Sequence, residues 1–444
     1  MKYYRLLIIS TLALTVFSCN RPIRYDLIVE NAAIFDTKTG EVTTGKTILI
    51  NGDSIVGIIN SDEPVRTKKV VDADGRLVTP GNIDTHINFE KAIYSTHKNA
   101  DNHPKILTNF YRSKCSKNYL PYGITTIVDM TKDFNWASQM VKWQANPKFS
   151  DLIVAYTFSD IEQSSKSIDV LLSDLSSIGV NHIYINNDKN NGLTKNIIEM
   201  ASQKGIDVFI KPINSFSDNN YVNIEYIYSS IINSFEKNFD KKLLLNQVEN
   251  VYGNVDVPEE IYALEAFKYI VENNPALLDT LANKLSKSPI SISTKLNSMA
   301  QYTDMSHMES NNQNQFKLSK ELKHRITYSF NHLLSFVKRI HNSGTSLRIG
   351  TNTENGGMAF ISEQLLLAEA GISASDIIKI STLNAAKVLK IDNRFGSIEI
   401  GKKADLIIYD QNPIDDYKNF ASTRRVIKSG KLFKRNPAKI DMEE

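Results

Sequence analysis

Between residues 81 and 392 short β-branched runs alternate with helical patterns, and this alternation constrains the chain more than any other feature. The runs lie at 125–128, 151–155, 182–185, 207–210, 290–293 and 346–349. Between them fall patterns such as Leu193 to Lys204, stopping at Gly205, and Ser319 to Asn342, stopping near Gly344. A strand followed by a helix and another strand favours a parallel sheet, because the chain needs a long return to start the next strand in the same direction. The length fits a (β/α)8, TIM-like barrel over residues 80–394, with functional groups at the C-terminal ends of the strands. Residues 229–288 read as a helical insertion after the sixth strand, and the Asn-rich stretch 309–315 as a loop.

Both ends of the chain have a different texture. Runs at 25–30, 47–50 and 54–59 are short and β-branched, and Asn51-Gly52 marks a hairpin. Strand texture returns at 405–409, 425–428 and 431–433, with Ser429-Gly430 as a turn. Segments 24–79 and 395–436 are therefore expected to form one small composite β-sandwich. The fold class expected is α/β, a barrel with that sandwich attached.

Composition excludes several functions. The 444 residues carry 52 Lys and Arg against 49 Asp and Glu, a net +3. So small an excess argues against a nucleic-acid binder working by phosphate neutralisation. A mean hydropathy of −0.27 argues against a polytopic membrane protein. The two cysteines, Cys19 and Cys115, cannot build a disulfide framework or a four-cysteine zinc site. No HxH, HExxH or CxxC spacing occurs.

Residues 1–20 read as an address. Lys2 and Arg5 precede an apolar run from Leu6 to Phe17, too short for the ~20 residues that span a bilayer. The run stops at Ser18-Cys19, which resembles a bacterial lipoprotein signal cleaved before Cys19, with lipid added to that thiol. The plainer reading is a secretory signal with a chance cysteine. Cys115 reads as a packed residue, since nothing near it in sequence supplies a base.

Three stretches together resemble the metal-dependent amidohydrolase superfamily, near its imidazolonepropionase-like and prolidase-like branch. They are Pro80-Gly81-Asn82-Ile83-Asp84-Thr85-His86-Ile87-Asn88, Gly123-Ile124-Thr125-Thr126-Ile127-Val128-Asp129, and a segment from Gly350-Thr351-Asn352 to Gly430. The last contains Thr382-Leu383-Asn384-Ala385-Ala386, Gly396-Ser397-Ile398-Glu399-Ile400-Gly401-Lys402-Lys403-Ala404-Asp405-Leu406 and Asn412-Pro413. The resemblance implies one or two divalent metals such as zinc, held by imidazoles and carboxylates, that activate a water against a C–N or related bond.

Carried residue by residue, the resemblance places only His86 on a retained metal ligand. Asn88 stands where a second histidine belongs, and Tyr184 falls at the bridging lysine. Lys211 and Tyr226 fall at two further histidines, and Asn352 replaces the catalytic aspartate. A divalent ion ~4 Å from an ammonium would be repelled by roughly 8 kcal/mol at an effective dielectric of ~20. Lys211 is thus expected to stand in for the lost cation, pairing with Asp84, Asp129 or Glu90, or gripping an anionic ligand. Against this, Lys211 could reach solvent, and Tyr184 and Tyr226 could simply fill the barrel. His182 lies two residues before Tyr184, so it faces the same side one layer deeper.

No cofactor is expected. The function expected is a lipid-anchored, non-catalytic homologue, facing the periplasm of a bacterial cell envelope. It would bind a small molecule or partner protein at the barrel mouth through His86, Asn88, Tyr184, Lys211, Tyr226 and Asn352. Two alternatives stand beside it: an active hydrolase of C–N bonds with an altered site, and a scaffold lipoprotein using the 229–288 helices.

Overall fold

The computed structural model describes residues 24–88, 117–142, 148–159, 165–186, 191–211, 223–228, 241–253, 255–308, 316–353 and 356–433. Cys19, Glu90, His97, His103, Cys115 and the start of the 229–288 segment lie outside the described residues.

Eight parallel strands form the centre: β1 (Asn82–Ile87), β2 (Ile124–Thr131), β3 (Asp151–Ser159), β4 (His182–Asn186), β5 (Asp207–Ile210), β6 (Asn223–Ile224), β7 (Ser291–Ser293) and β8 (Ser346–Arg348). Each pairs with its neighbour in chain order. β8 returns to β1 through Thr85 N donating to Ile349 O at 3.0 Å and Asn352 N donating to His86 O at 2.7 Å. The result is a nearly closed TIM-like barrel. Gly350 permits the return, because a Cβ there would sit 2.6 Å from Ser293 Oγ and 2.8 Å from His86 Cβ.

The helices named below are α1 (Lys241–Tyr252), α2 (Glu259–Asn273), α3 (Ala276–Ser286), α4 (Lys320–Asn342) and α5 (Gly356–Glu369). α4 begins at Ser319, whose Oγ accepts from Leu322 N, capping the helix where the sequence placed its start. Much of the expected insertion is barrel wall. α2 buries Ile261, Leu264, Phe267 and Ile270, and Phe267 packs against Phe336 of α4 with ring centroids 6.0 Å apart.

The two ends of the chain meet in one eight-stranded sheet. Strand Leu77–Pro80 pairs in parallel with Leu27–Phe35 and antiparallel with Leu406–Tyr409, which continues to Arg424–Lys428. Asn51 and Ser54 flank the hairpin turn signalled by Asn51-Gly52. Strand alternation divides the sheet's contacts. Leu406 and Ile408 join Leu27, Val29, Ile48 and Val78 in a core of its own, whereas Ile407 and Tyr409 enter the barrel's core. Phe35 and Leu77 enter the barrel's core as well, so the sheet packs on the barrel through three of its strands.

Candidate functional site

His86 lies near the C-terminal end of β1 and is buried. Its Nδ1 is 2.8 Å from Oε2 of Glu225, which follows β6. The other Glu225 oxygen accepts from Nη2 of Arg348, at the end of β8. Arg348 is fully buried and also donates from Nη1 to Ser291 O at 2.9 Å. Burial pushes the Glu225 carboxyl up, but Arg348 and His86 outweigh it and leave Glu225 below the usual glutamate value. The imidazole is therefore oriented from behind by a carboxylate that is itself neutralised by a guanidinium.

The outer face of His86 meets tyrosines. Its Nε2 is 3.4 Å from Tyr226 Oη, and the Tyr184 ring packs edge-on at 5.2 Å between centroids. Asn352 donates from Nδ2 to Tyr226 Oη at 3.0 Å. His86, Tyr184, Tyr226 and Asn352 are thus brought together. Asn88 follows β1 and is half-buried. Burial holds the Tyr184 and Tyr226 phenols well above their ordinary value, so both hydroxyls stay neutral.

The expected place of Lys211 requires correction. Its Nζ pairs with Glu259 Oε2 at 2.7 Å and sits 5.7 Å from the centre of the Tyr226 ring. It pairs with neither Asp84 nor Asp129. Asp84 accepts from Thr351 Oγ1 at 2.7 Å and from Thr351 N at 3.1 Å, while Asp129 accepts from Trp136 Nε1 at 3.0 Å. The physical reason is that α2 opens with Glu259 and Glu260, which supply the carboxylates that barrel residues were expected to give.

The nearer cation over Tyr226 is Lys295, just past β7. Its Nζ lies 3.9 Å from the Tyr226 ring centre, 3.5 Å from Tyr228 Oη and 3.8 Å from Glu260 Oε1. The Tyr228 ring stacks on Tyr226 at 5.5 Å. Behind Lys295, Glu363 of α5 accepts from Thr294 Oγ1 and Asn297 N, each at 2.6 Å. Burial pushes the carboxyls of Asp84 and Glu363 up to about 7 against those hydrogen bonds. Tyr226, Lys295 and Asn352 follow three successive strands, and all have positive φ, at 67°, 46° and 48°. Non-glycine residues rarely adopt this conformation, and it costs on the order of 1–3 kcal/mol where it is held.

Glu225, Lys295, Arg348 and Glu363 were not singled out from sequence. Two carried a signal: Glu225 and Arg348 each interrupt an apolar strand run, Ile224-Glu225-Tyr226 and Leu347-Arg348-Ile349, and a charge so placed needs a partner. Lys295 and Glu363 carried none. His182 is buried, its ring 5.8 Å from that of Phe209 and its Nε2 3.9 Å from Asp207 Oδ2. His324 and His341 lie on the outer helix α4, and His307 pairs with Glu369 at 2.9 Å.

The donor set does not fit a divalent metal. With Nδ1 held by Glu225, His86 offers one imidazole nitrogen, Nε2, and that faces a phenol. Asn352 turns its amide nitrogen to the same phenol, and an ammonium lies over the ring. Among the described residues no three His, Cys, Asp or Glu side chains are placed to hold an ion.

Comparison with known proteins gives the family context. Residues 217–433 match the family model described as Amidohydrolase family. An adenine deaminase of Gluconobacter oxydans is 33% identical over 103 residues, which is 23% of this chain but only 15% of that protein. An imidazolonepropionase of Picrophilus torridus is 54% identical over 54 residues, 12% of this chain and 13% of that one. The chain therefore spans a small part of the curated relatives it matches. The crystal structure of a putative prolidase from Bifidobacterium longum superposes over 94% of this chain and 96% of its own, with TM-score 0.61 and 17% identity. Residues 217–433 are thus similar to the amidohydrolase family, and the chain shares the fold of that solved prolidase-like structure.

Proposed function

We propose that this protein is a non-catalytic amidohydrolase homologue that binds a small molecule or a partner protein at the barrel mouth, with a small molecule as the favoured occupant. It is tethered by a lipid on Cys19 to a bacterial envelope membrane and faces the periplasm. The observation that carries the reading is the gathering of Tyr184, Tyr226 and Asn352 around His86, with Lys295 over the Tyr226 ring. A divalent ion there would find one imidazole nitrogen, His86 Nε2, facing a phenol, and an amide nitrogen of Asn352 turned to the same phenol. The groups left are hydrogen-bond donors and acceptors on a rigid barrel rim, which suit recognition of a polar ligand.

Metal analysis of the purified protein, together with thermal shifts under added zinc, manganese or iron, tests this. The expected result is no stoichiometric metal and no stabilisation. Stoichiometric metal, lost together with a hydrolytic activity in His86→Ala, would overturn it in favour of an altered C–N hydrolase. That rival draws on the activities that the adenine deaminase and imidazolonepropionase names carry. The scaffold alternative is weaker, because α2 spends its apolar face on α4.

A further inference from the structure

We propose that Lys295 captures its ligand covalently and reversibly, its ε-amine forming an imine with an aldehyde or ketone carbonyl at the barrel mouth. This deepens the binding reading above and rests on it.

The side chain is buried, yet little holds its three N–H groups. Among the described residues, Glu260 Oε1 at 3.8 Å is beyond hydrogen-bond distance, Tyr228 Oη at 3.5 Å is at its limit, and the closest other group is the Tyr226 ring face at 3.9 Å. A ring face attracts a cation but does not replace its water. Burial accordingly draws Lys295 below the ordinary lysine value, the Lys211 ammonium adds to this, and Glu260, Glu259 and Glu225 oppose it. The neutral amine so favoured is the nucleophilic form of lysine.

The backbone makes a separate argument. Lys295 is left-handed at φ 46°, and Glu363 holds it there by accepting from Thr294 on one side and Asn297 on the other. A strained residue clamped on both sides by one buried carboxylate is a positioned residue. A lysine serving only as filler would need neither the strain nor the clamp.

The step balances without an oxidant or reductant. The ammonium first gives a proton, through an intervening water, to Glu260. The Nζ lone pair then adds to the carbonyl carbon, and the π pair moves to oxygen, which gains a proton. Loss of that hydroxyl as water, with release of the N–H proton, leaves the C=N bond. Water reverses the sequence and frees the ligand.

The test uses the full chain with glycolaldehyde as probe and cyanoborohydride as trap at pH 7, sampled early and read by peptide mapping. Lys295 is expected to label several-fold faster than the exposed Lys38 and Lys390, because a lowered lysine carries more free amine at pH 7. Lys295→Arg should lose the fast site and keep the slow ones. Glu363→Gln should slow Lys295 towards the exposed lysines, although it touches no probe. Labelling of Lys295 no faster than Lys38 would overturn the proposal. If small carboxylates still stabilise the protein thermally, and that shift vanishes in Lys295→Met, the imine falls while the binding site stands. If no small molecule shifts the protein either, both readings fall.

Discussion

Arg348, Glu225 and His86 form a buried chain of charge, and its value lies in completeness. Each member neutralises or orients the next, and none is exposed to water that could replace a missing partner. Removing one partner of a buried pair costs about 3–5 kcal/mol, because the other is left charged and unsolvated, whereas removing both costs far less. Glu225→Gln should therefore lower stability by about 3 kcal/mol or more. The double variant Glu225→Gln/Arg348→Met should recover at least half of that loss. Denaturant midpoints of the two singles and the double check this, and additive losses would show that the pair is not coupled. This chain was half legible in the sequence. Charges inside Ile224-Glu225-Tyr226 and Leu347-Arg348-Ile349 announce a need for partners, but pairing across 123 residues appears only once β6 and β8 share a barrel rim.

Elements supply what single residues cannot. β2 and β4 are visible as β-branched runs because each buries both faces. β6 has only two residues, and no periodicity can be read from so short a strand. The place of Lys295 was illegible for a related reason. Its surroundings come from the first turn of α2 and the middle of α5, so nothing local marks it. α5 reaches under the β7 loop through Glu363, and that clamp should be visible in the pH dependence of stability. The Glu363 carboxyl rises from 4.5 to about 7 on folding, so between these values the folded state binds more proton than the unfolded. Stability then falls as pH rises from about 4.5 through 7 and levels above, by about 3 kcal/mol from this group. Glu363→Gln should flatten that part of the profile. Equilibrium denaturation at pH 5 and pH 8 compares the two proteins, and an unchanged pH difference would remove Glu363 as its source.

At the scale of the molecule, the terminal sheet and the barrel must hold one orientation for the rim to be rigid, and a cluster of buried charge joins them. Lys428 and Asp405 belong to the sheet segments, while Asp151 opens β3 of the barrel. Lys428 Nζ is 2.9 Å from Asp151 Oδ2 and 2.9 Å from Asp405 Oδ2, and Lys403 also pairs with Asp151. Burial alone would lower Lys428, but Asp405 and Asp151 outweigh it and hold the ammonium above its ordinary value. A raised lysine contributes stability that is complete below about 10.5 and is lost only as pH climbs through the folded value, so the joint is insensitive across the neutral range. Lys428→Met leaves two carboxylates facing one remaining lysine. It should cost about 3 kcal/mol, and the loss should shrink in acid as the stranded carboxylates take up protons. Because the cluster lies at the start of β3, across the barrel from the rim that carries Lys295, its loss should also loosen the rim through the joint rather than by contact. Hydrogen exchange separates these effects. Faster exchange in both Leu406–Tyr409 and the strands beside Asp151 would mark a joint between the two layers, whereas a change confined to the sheet would make the cluster a local feature.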